Sequence, residues 1–279
     1  MKKVWFITGA SSGFGEALAS AAIQEGHQVA ATFRNAAAAQ AFGERGSAAL
    51  GVVMDVRDEQ SIAAGIKKAA AHFGRLDVIV NNAGYGTIGA VEEFTMEEIR
   101  QQMETNFFGA VAVTKEALPY LRQQGSGHII QISSAAGFKA TGGFGVYNAS
   151  KFALEGFSEA LAQEVAPFGI KVVIVQPGPF RTKFAAGSVK LAALRMDEYK
   201  RTPVAQMYHY ISRIDGRQEG DPAKAALAIL NYVDTDNAAL RLPLSKHALD
   251  AIKAKLVAVQ ADIDSNREIA LSTLVDAPL

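Results

Sequence analysis

The chain of 279 residues contains no cysteine. That excludes disulfides, thiolate nucleophiles and cysteine metal sites, and it suits a reducing interior. An excess of either charge is also missing, since 28 Lys and Arg balance 28 Asp and Glu. Such a balance points neither to nucleic acid nor to an anionic membrane as partner. No apolar stretch approaches the roughly 18 residues of a membrane span. The opening "MKKVWFITGASS" is interrupted by Gly9 and Ser11 too early for a secretory leader and reads as a first strand. His72, His128, His209 and His247 are scattered without ligand spacing, and His27 reads as a surface residue beside Gly26, so no catalytic metal is expected. A soluble, cytoplasmic protein is the expectation that remains, and a composition 49% hydrophobic is enough for a sizeable core.

What is present is an alternation of short apolar runs and longer helical patterns. The runs are "KVWFIT", "QVAATF", "ALGVVMD", "LDVIVNN", "GHIIQIS", "IKVVIVQ" and, more weakly, "ALRLPL". Most are β-branched and apolar on both faces, as strands covered from both sides must be. Between them lie "GEALASAAIQEG", a short alanine-rich helix after the second strand, and "DEQSIAAGIKKAAAHFG". A long helical stretch opening on Thr95 and Glu98 as a capping box follows, then "YNASKFALEGFSEALAQEVAPFG". This alternation predicts an α/β fold with a doubly wound parallel sheet and helices on both faces. No linker, repeat or low-complexity tract appears, so residues 1–279 read as a single domain. The pattern loosens over about 184–220, where Phe, Leu, Met and Tyr mix with charges. It returns at "GDPAKAALAILNYV", with Asp221 as N-cap and Pro222 at the first helical position. A C-terminal helix over about 245–260 carries an apolar stripe at Leu249, Ile252 and Leu256, and the tail beyond it is expected to be loosely held.

Two local patterns suggest chemistry. "TGASSGFG" places Gly9, Gly13 and Gly15 between the first strand and a helix. Bare backbone there permits a tight turn or the close approach of a phosphate to a helix N-terminus. The spacing G-x-x-x-G-x-G is not the common dinucleotide fingerprint, so a simple glycine-rich turn stays open. Tyr147 and Lys151 stand four residues apart, on one face of a helix. An ammonium near a phenol favours the phenolate, which makes the pair a candidate general acid/base.

Taken in order, "TGASSGFG", "NNAG" at 81–84, Ser134 in "ISSAAG", "YNASK" at 147–151 and "PG" at 177–178 resemble the short-chain dehydrogenase/reductase family in its single-domain form. The resemblance covers about residues 3–182, and "NNAGYGTIGAVEEFTMEEI" is similar to the branch of 17β-hydroxysteroid-dehydrogenase-like members. It implies a Rossmann-like sheet of seven strands and a nicotinamide cofactor. It further implies that Tyr147 exchanges the proton with a carbonyl or alcohol oxygen, that Ser134 positions that oxygen, and that Lys151 supports Tyr147 and bonds the nicotinamide ribose. Ser133 is the alternative to Ser134, because strand residues alternate faces. Asn106, followed by Gly109, would mark a helix break holding a water that relays protons through Lys151.

For the cofactor, the resemblance implies contacts from Gly9, Ser11, Ser12, Gly13, Phe14 and Gly15. Asp55 would meet the adenine amino group with Val56 beside it, and Asn82, Ala83 and Gly84 would line the adenosine side. Pro177, Gly178, Phe180 and Thr182 would turn the chain across the nicotinamide. The second strand ends on Phe33 and Arg34, where NAD-selective members place an acid. A guanidinium there binds a 2′-phosphate, which favours NADP (NADPH) over NAD. The expected substrate is a small apolar carbonyl compound or alcohol, covered by 184–220. The faces of 103–118 and 151–165 are unusually apolar, and the resemblance implies a homodimer or homotetramer through these two helices, with a monomer as the alternative. The rival readings are an NAD-dependent alcohol dehydrogenase and a cofactor-binding regulator without catalysis.

Overall fold

A computed structural model describes residues 2–235 and 239–275. All seven expected runs are strands of one sheet: β1 (Val4–Ile7), β2 (Gln28–Phe33), β3 (Ala49–Val53), β4 (Val78–Asn81), β6 (Gly127–Ile132), β7 (Ile170–Pro177) and β9 (Arg241–Leu244). Two further strands, β5 (Gly86–Ile88) and β8 (Val189–Leu191), pair with each other outside it. The main sheet has the order 3-2-1-4-6-7-9, and every pairing is parallel, as in Phe6↔Ala30 and Ile79↔Ile129. It is an α/β Rossmann-like fold with helices on both faces.

Alternation along β1 explains the two-sided core. Trp5 and Ile7 pack on one face with residues of α1 (Gly13–Gln24) and α8 (Pro222–Val233). Val4 and Phe6 pack on the other with residues of α3 (Glu59–Phe73) and α5 (Gly109–Gln124). Strands buried on both faces need apolar residues at every position, which is why their sequences show runs rather than alternation. Local chemistry fixes the helix starts. Asn35 caps α2 (Ala36–Gly43), Asp58 caps α3, Thr95 caps α4 (Met96–Met103) and Asp221 caps α8. Gly74 ends α3 in the left-handed region at φ 80°.

Three expectations change. The long stretch from Thr95 is not one helix: α4 gives way to a wide turn of π geometry at Glu104–Phe108, where Gly109 N–H bonds the Glu104 carbonyl, before α5 begins. Residues 184–220 are ordered, with a π turn at Phe184–Ser188, then β8, and then the strongly amphipathic α7 (Pro203–Ile214). His27 is not a surface residue. It is buried, its Nδ1 accepts from Lys3 N at 3.1 Å, and its ring lies 5.9 Å from Trp5. Removal from water is the main reason its pKa is lowered.

The remaining helices are α6 (Gly145–Val165), α9 (Lys246–Ser265) and α10 (Arg267–Leu271). The helix expected to end near 260 thus continues to Ser265.

Candidate active site

The glycine loop is a close-packed corner at the carboxyl ends of β1 and β4. Gly9 and Gly13 sit at φ 67° and 63°, where a side chain is strained. A Cβ on Gly9 would come within 2.9 Å of Ala83, and one on Gly15 within 2.5 Å of both the Asn82 amide and the Gly9 carbonyl. Asn82 donates to the carbonyls of Thr8 and Gly9 at 2.8 and 3.0 Å. The Thr8 hydroxyl accepts from the N–H groups of Asn82 and Ala83. The "NNAG" segment and the glycine loop are therefore a single hydrogen-bonded unit. Ser12 stands at the N-cap of α1 without a side-chain capping bond, so the first N–H groups of that helix are not satisfied by it.

Beside this corner opens a cavity of about 670 Å³. Its lining brings together Gly9, Ser11, Ser12, Gly13, Phe14, Arg34, Asp55, Val56, Asn82, Ala83, Gly84, Ser134, Tyr147, Lys151, Pro177, Gly178, Phe180 and Thr182. Gly15 and Asn106 lie just behind the wall. Topology explains the convergence: in a parallel sheet with crossovers to both faces, the loops at the carboxyl ends meet over one crevice. Thr182 faces Gly13, and the rings of Phe14 and Phe180 meet edge to face at 4.9 Å. Gly178, whose added Cβ would be 2.5 Å from Ser245 Oγ, lets the chain turn tightly against the start of α9.

Asp55 does not have a free carboxylate. Arg57 grips it through Nε and Nη2 at 3.0 and 2.6 Å, and this bond is the main reason its carboxyl lies below the usual range. Arg57 also lines the cavity and was not anticipated. The signal was in the sequence, an arginine two residues beyond a strand-end aspartate.

At the other end, Tyr147 on α6 is buried between Phe144 and Phe184, with ring centroids 5.3 and 5.8 Å away. Its hydroxyl lies near that of Ser134, which draws the phenol's pKa down. Ser134 accepts from Ala136 N at 3.1 Å and donates to the Pro177 carbonyl at 3.4 Å, which fixes its hydroxyl at the end of β6. Both serines border the cavity, but the Ser133 hydroxyl is buried against Gly137, and it is the Ser134 hydroxyl that acts on Tyr147. Lys151 is one helical turn on, with Nζ 6.0 Å from the Tyr147 ring centroid and bonded to the Ile132 carbonyl at 2.8 Å. Asn106, in the π turn, exchanges two hydrogen bonds with the backbone of Tyr85 at 3.0 and 2.9 Å and donates to Ser150. A Cβ on Gly84 would touch Asn106 Oδ1 at 3.1 Å and Lys151 Nζ at 3.7 Å, so these groups converge on one glycine.

The electrostatics correct one expectation. Burial pushes the Tyr147 phenol up to about 12, offset only in part by Ser134. Burial likewise brings the Lys151 ammonium down to about 8, against the attraction of Glu155. At 6.0 Å the lysine does not overcome the desolvation of the phenol.

The apolar end of the cavity is formed by Phe144, Phe184, Met207, Tyr210, Ile211 and Ile214; all but Phe144 lie in the 184–220 segment expected to cover the substrate, and Phe144 was not anticipated. Met207 and Tyr210 belong to α7, held by Glu93. That buried carboxylate accepts from Ala90 N, Met196 N and the Tyr208 hydroxyl at 2.9, 2.9 and 2.7 Å. Burial opposes its ionisation, but these bonds and Arg195 outweigh it and hold the carboxyl below its usual range.

A parallel nucleotide-type sheet with a glycine corner and a tyrosine–lysine pair at one crevice is the arrangement of a class of nucleotide-dependent oxidoreductases. The short chain dehydrogenase family model matches residues 3–191. An oxidoreductase of Botryotinia fuckeliana, BOA17, is 36% identical over 277 residues, covering 98% of this chain and all of that protein. The crystal structure of a short-chain dehydrogenase from Streptomyces avermitilis superposes with a TM-score of 0.92 at 40% identity, covering 99% of this chain and 100% of that one. A 3-ketoacyl-(acyl-carrier-protein) reductase from Brucella melitensis, complexed with NADH, is similar at a TM-score of 0.71 and 27% identity, covering 86% and 96%. The chain belongs to the short-chain dehydrogenase family, enzymes that oxidise or reduce at CH–OH carbons with NAD(P). Small-molecule substrates are typical of that family. Among the described residues no helix is long and apolar enough to cross a membrane.

Proposed function

We propose that the protein is an NADP-dependent carbonyl reductase, reversible as an alcohol dehydrogenase, for a small apolar substrate, acting in the cytoplasm. One observation carries the reading: a single cavity joins the glycine corner and Arg34 at one end to Tyr147, Ser134 and Lys151 at the other. The residues suit a dinucleotide. The left-handed Gly9 and Gly13 and the uncapped start of α1 suit a pyrophosphate, Arg34 suits a 2′-phosphate, and Gly84 leaves room before Lys151. The nicotinamide, when bound, supplies or takes up the hydride.

The chain's own groups manage the proton. Tyr147 gives its phenolic proton to the carbonyl oxygen in reduction and takes one from the hydroxyl in oxidation. A phenol at about 12 stays protonated at neutral pH and so carries the proton that reduction consumes. Ser134 holds the same oxygen by a hydrogen bond. Lys151, charged below about pH 8, stabilises the phenolate left behind. Asn106 holds the Tyr85 backbone and the π turn, and keeps the route from Lys151 toward solvent open. Phe144, Phe184, Met207 and Tyr210 select an apolar body, in keeping with an alcohol site like that of the 17β-hydroxysteroid-dehydrogenase-like branch. The exposed rings of Phe108 and Phe152 support a homodimer or homotetramer through α5 and α6.

NAD use is the second reading, favoured by the NADH held by the Brucella reductase. The test is a panel of ketones, aldehydes and secondary alcohols followed at the reduced-nicotinamide absorbance, with Tyr147→Phe as control. Turnover that Tyr147→Phe lowers about a hundredfold or more, with cofactor affinity unchanged, is expected. Equal turnover in the variant refutes the mechanism.

A further inference from the structure

We propose that α9 is an association arm that pairs antiparallel with α9 of a second copy of this chain. Only its first turns are anchored. Ser245 caps the helix, Ala248 is fully buried, and His247 N–H bonds the Glu219 carboxylate at 2.9 Å. From Leu256 to Val275 every residue is exposed. A helix of 20 residues is about 30 Å long, so its distal half projects from the body.

The exposed half is not polar. Leu249, Leu256, Val259 and Ile263 are exposed by 44, 54, 37 and 57%. With the half-buried Ile252 they recur at intervals of 3, 4, 3 and 4 residues. This is the a/d spacing of a two-helix seam, with Leu249, Leu256 and Ile263 at a and Ile252 and Val259 at d. A single such helix leaves the seam in water, where isolated helices are marginal.

Charge selects both the occupant and the direction. The proximal half carries Lys246, Lys253 and Lys255 against Asp250, which pairs with Lys246; the distal half carries Asp262 and Asp264, with Arg267 and Glu268 just beyond. Parallel pairing would set Lys253 and Lys255 beside Ala248 and Gln260 of the other copy, leaving both without an acidic partner. Antiparallel pairing centred between Val257 and Ala258 layers Leu256 of each copy on Val259 of the other and Ile252 on Ile263. It also brings Lys255 of each copy beside Asp262 of the other. A membrane-surface helix would instead need a wide apolar face flanked by basic residues, whereas this stripe is narrow and its distal flank acidic. A second copy of the chain is the partner that fits.

The lack of cysteine makes the test direct, because introduced thiols have no competitor. Full-length L256C and V259C proteins are mixed and mildly oxidised. A disulfide needs Cα atoms about 4.4–6.8 Å apart. Antiparallel pairing therefore predicts mixed L256C–V259C dimers in large excess over self-linked ones. Sedimentation equilibrium supplies the second arm. K255D and D262K alone should each weaken self-association about tenfold, as two surface pairs per dimer turn repulsive. The combined swap K255D/D262K should restore it. Leu256, Val259 and Asp262 lie on the projecting half and Lys255 at its edge, none of them buried, so the folded body should keep its thermal midpoint. The proposal is overturned if each thiol variant links to itself as readily as to the other, or if the swap fails to restore association. A chain that stays unpaired and binds anionic vesicles through α9 also overturns it.

Discussion

Replacing Lys151 by Met should make the cofactor-free protein more stable and nearly inactive. The ammonium is fully desolvated, and burial brings its pKa from 10.5 to about 8. At pH 7 folded and unfolded chains both carry the proton, so the whole penalty applies, about 3 kcal/mol at 1.36 kcal/mol per pKa unit. Methionine forfeits the bond to the Ile132 carbonyl, which returns about 1 kcal/mol. The net gain is about 2 kcal/mol. At roughly 2.1 cal/mol/K per residue this raises the midpoint of a chain of this size by about 3 °C. The sign with pH follows from linkage. As pH rises through 8 the folded protein sheds the proton, the penalty falls to about 2 kcal/mol at pH 9, and it is gone above the unfolded value. The advantage of Lys151→Met should therefore be largest at pH 6–7, fall to about 1 kcal/mol at pH 9 and vanish near pH 10. Scanning calorimetry of both proteins without cofactor at pH 6, 7, 8 and 9 measures it, and a parallel assay should show turnover lower by about a hundredfold or more. A variant less stable at pH 7, or an advantage that does not change with pH, would refute the assignment of Lys151 as a buried cation held there for chemistry.

Arg34→Leu should weaken NADPH binding tens-fold, as the loss of a charge-assisted bond to a 2′-phosphate requires, and leave NADH binding within about threefold. Fluorescence titration of both reduced cofactors reads this, and equal losses for the two would remove NADP from the proposal. Glu93→Gln removes the charge that gathers Ala90, Met196 and Tyr208, next to the cavity residue Met207. Initial-rate kinetics should show KM for the carbonyl substrate raised about tenfold while NADPH affinity is unchanged.

The parts of the fold visible in the sequence are those written in local periodicity. All seven sheet strands and the caps at Thr95 and Asp221 were legible because burial on both faces and N-cap chemistry act within a few residues. The gathering of Gly9, Arg34, Ser134 and Tyr147 at one cavity was legible through a family resemblance; their spacing alone left a turn, a surface arginine and a helix pair as alternatives. What stayed hidden depends on distant partners. "AVEEF" looks like a surface turn, yet Glu93 is buried because Met196 and Tyr208, more than a hundred residues later, come to it. His27 looked exposed because nothing nearby shows that Trp5 and Lys3 will cover it. The phenol was expected to be acidified because the pattern shows the lysine but not the loss of water around both groups. The heptad stripe of α9 was read in part, and only its exposure reveals that the body does not cover it.

The π turn at Glu104–Phe108 makes residue count itself a determinant of the site. Each residue of a regular helix advances about 100° around its axis, so the one surplus residue sets α4 and α5 out of phase. Deleting Phe108, whose side chain is mostly in solvent, would let the coil close into a uniform spiral. Everything upstream would then swing by more than a quarter circle, and Asn106 would leave the Tyr85 peptide although no site side chain had been altered. Tolerance to substitution at Phe108 and intolerance to its removal are both built into that one loose coil.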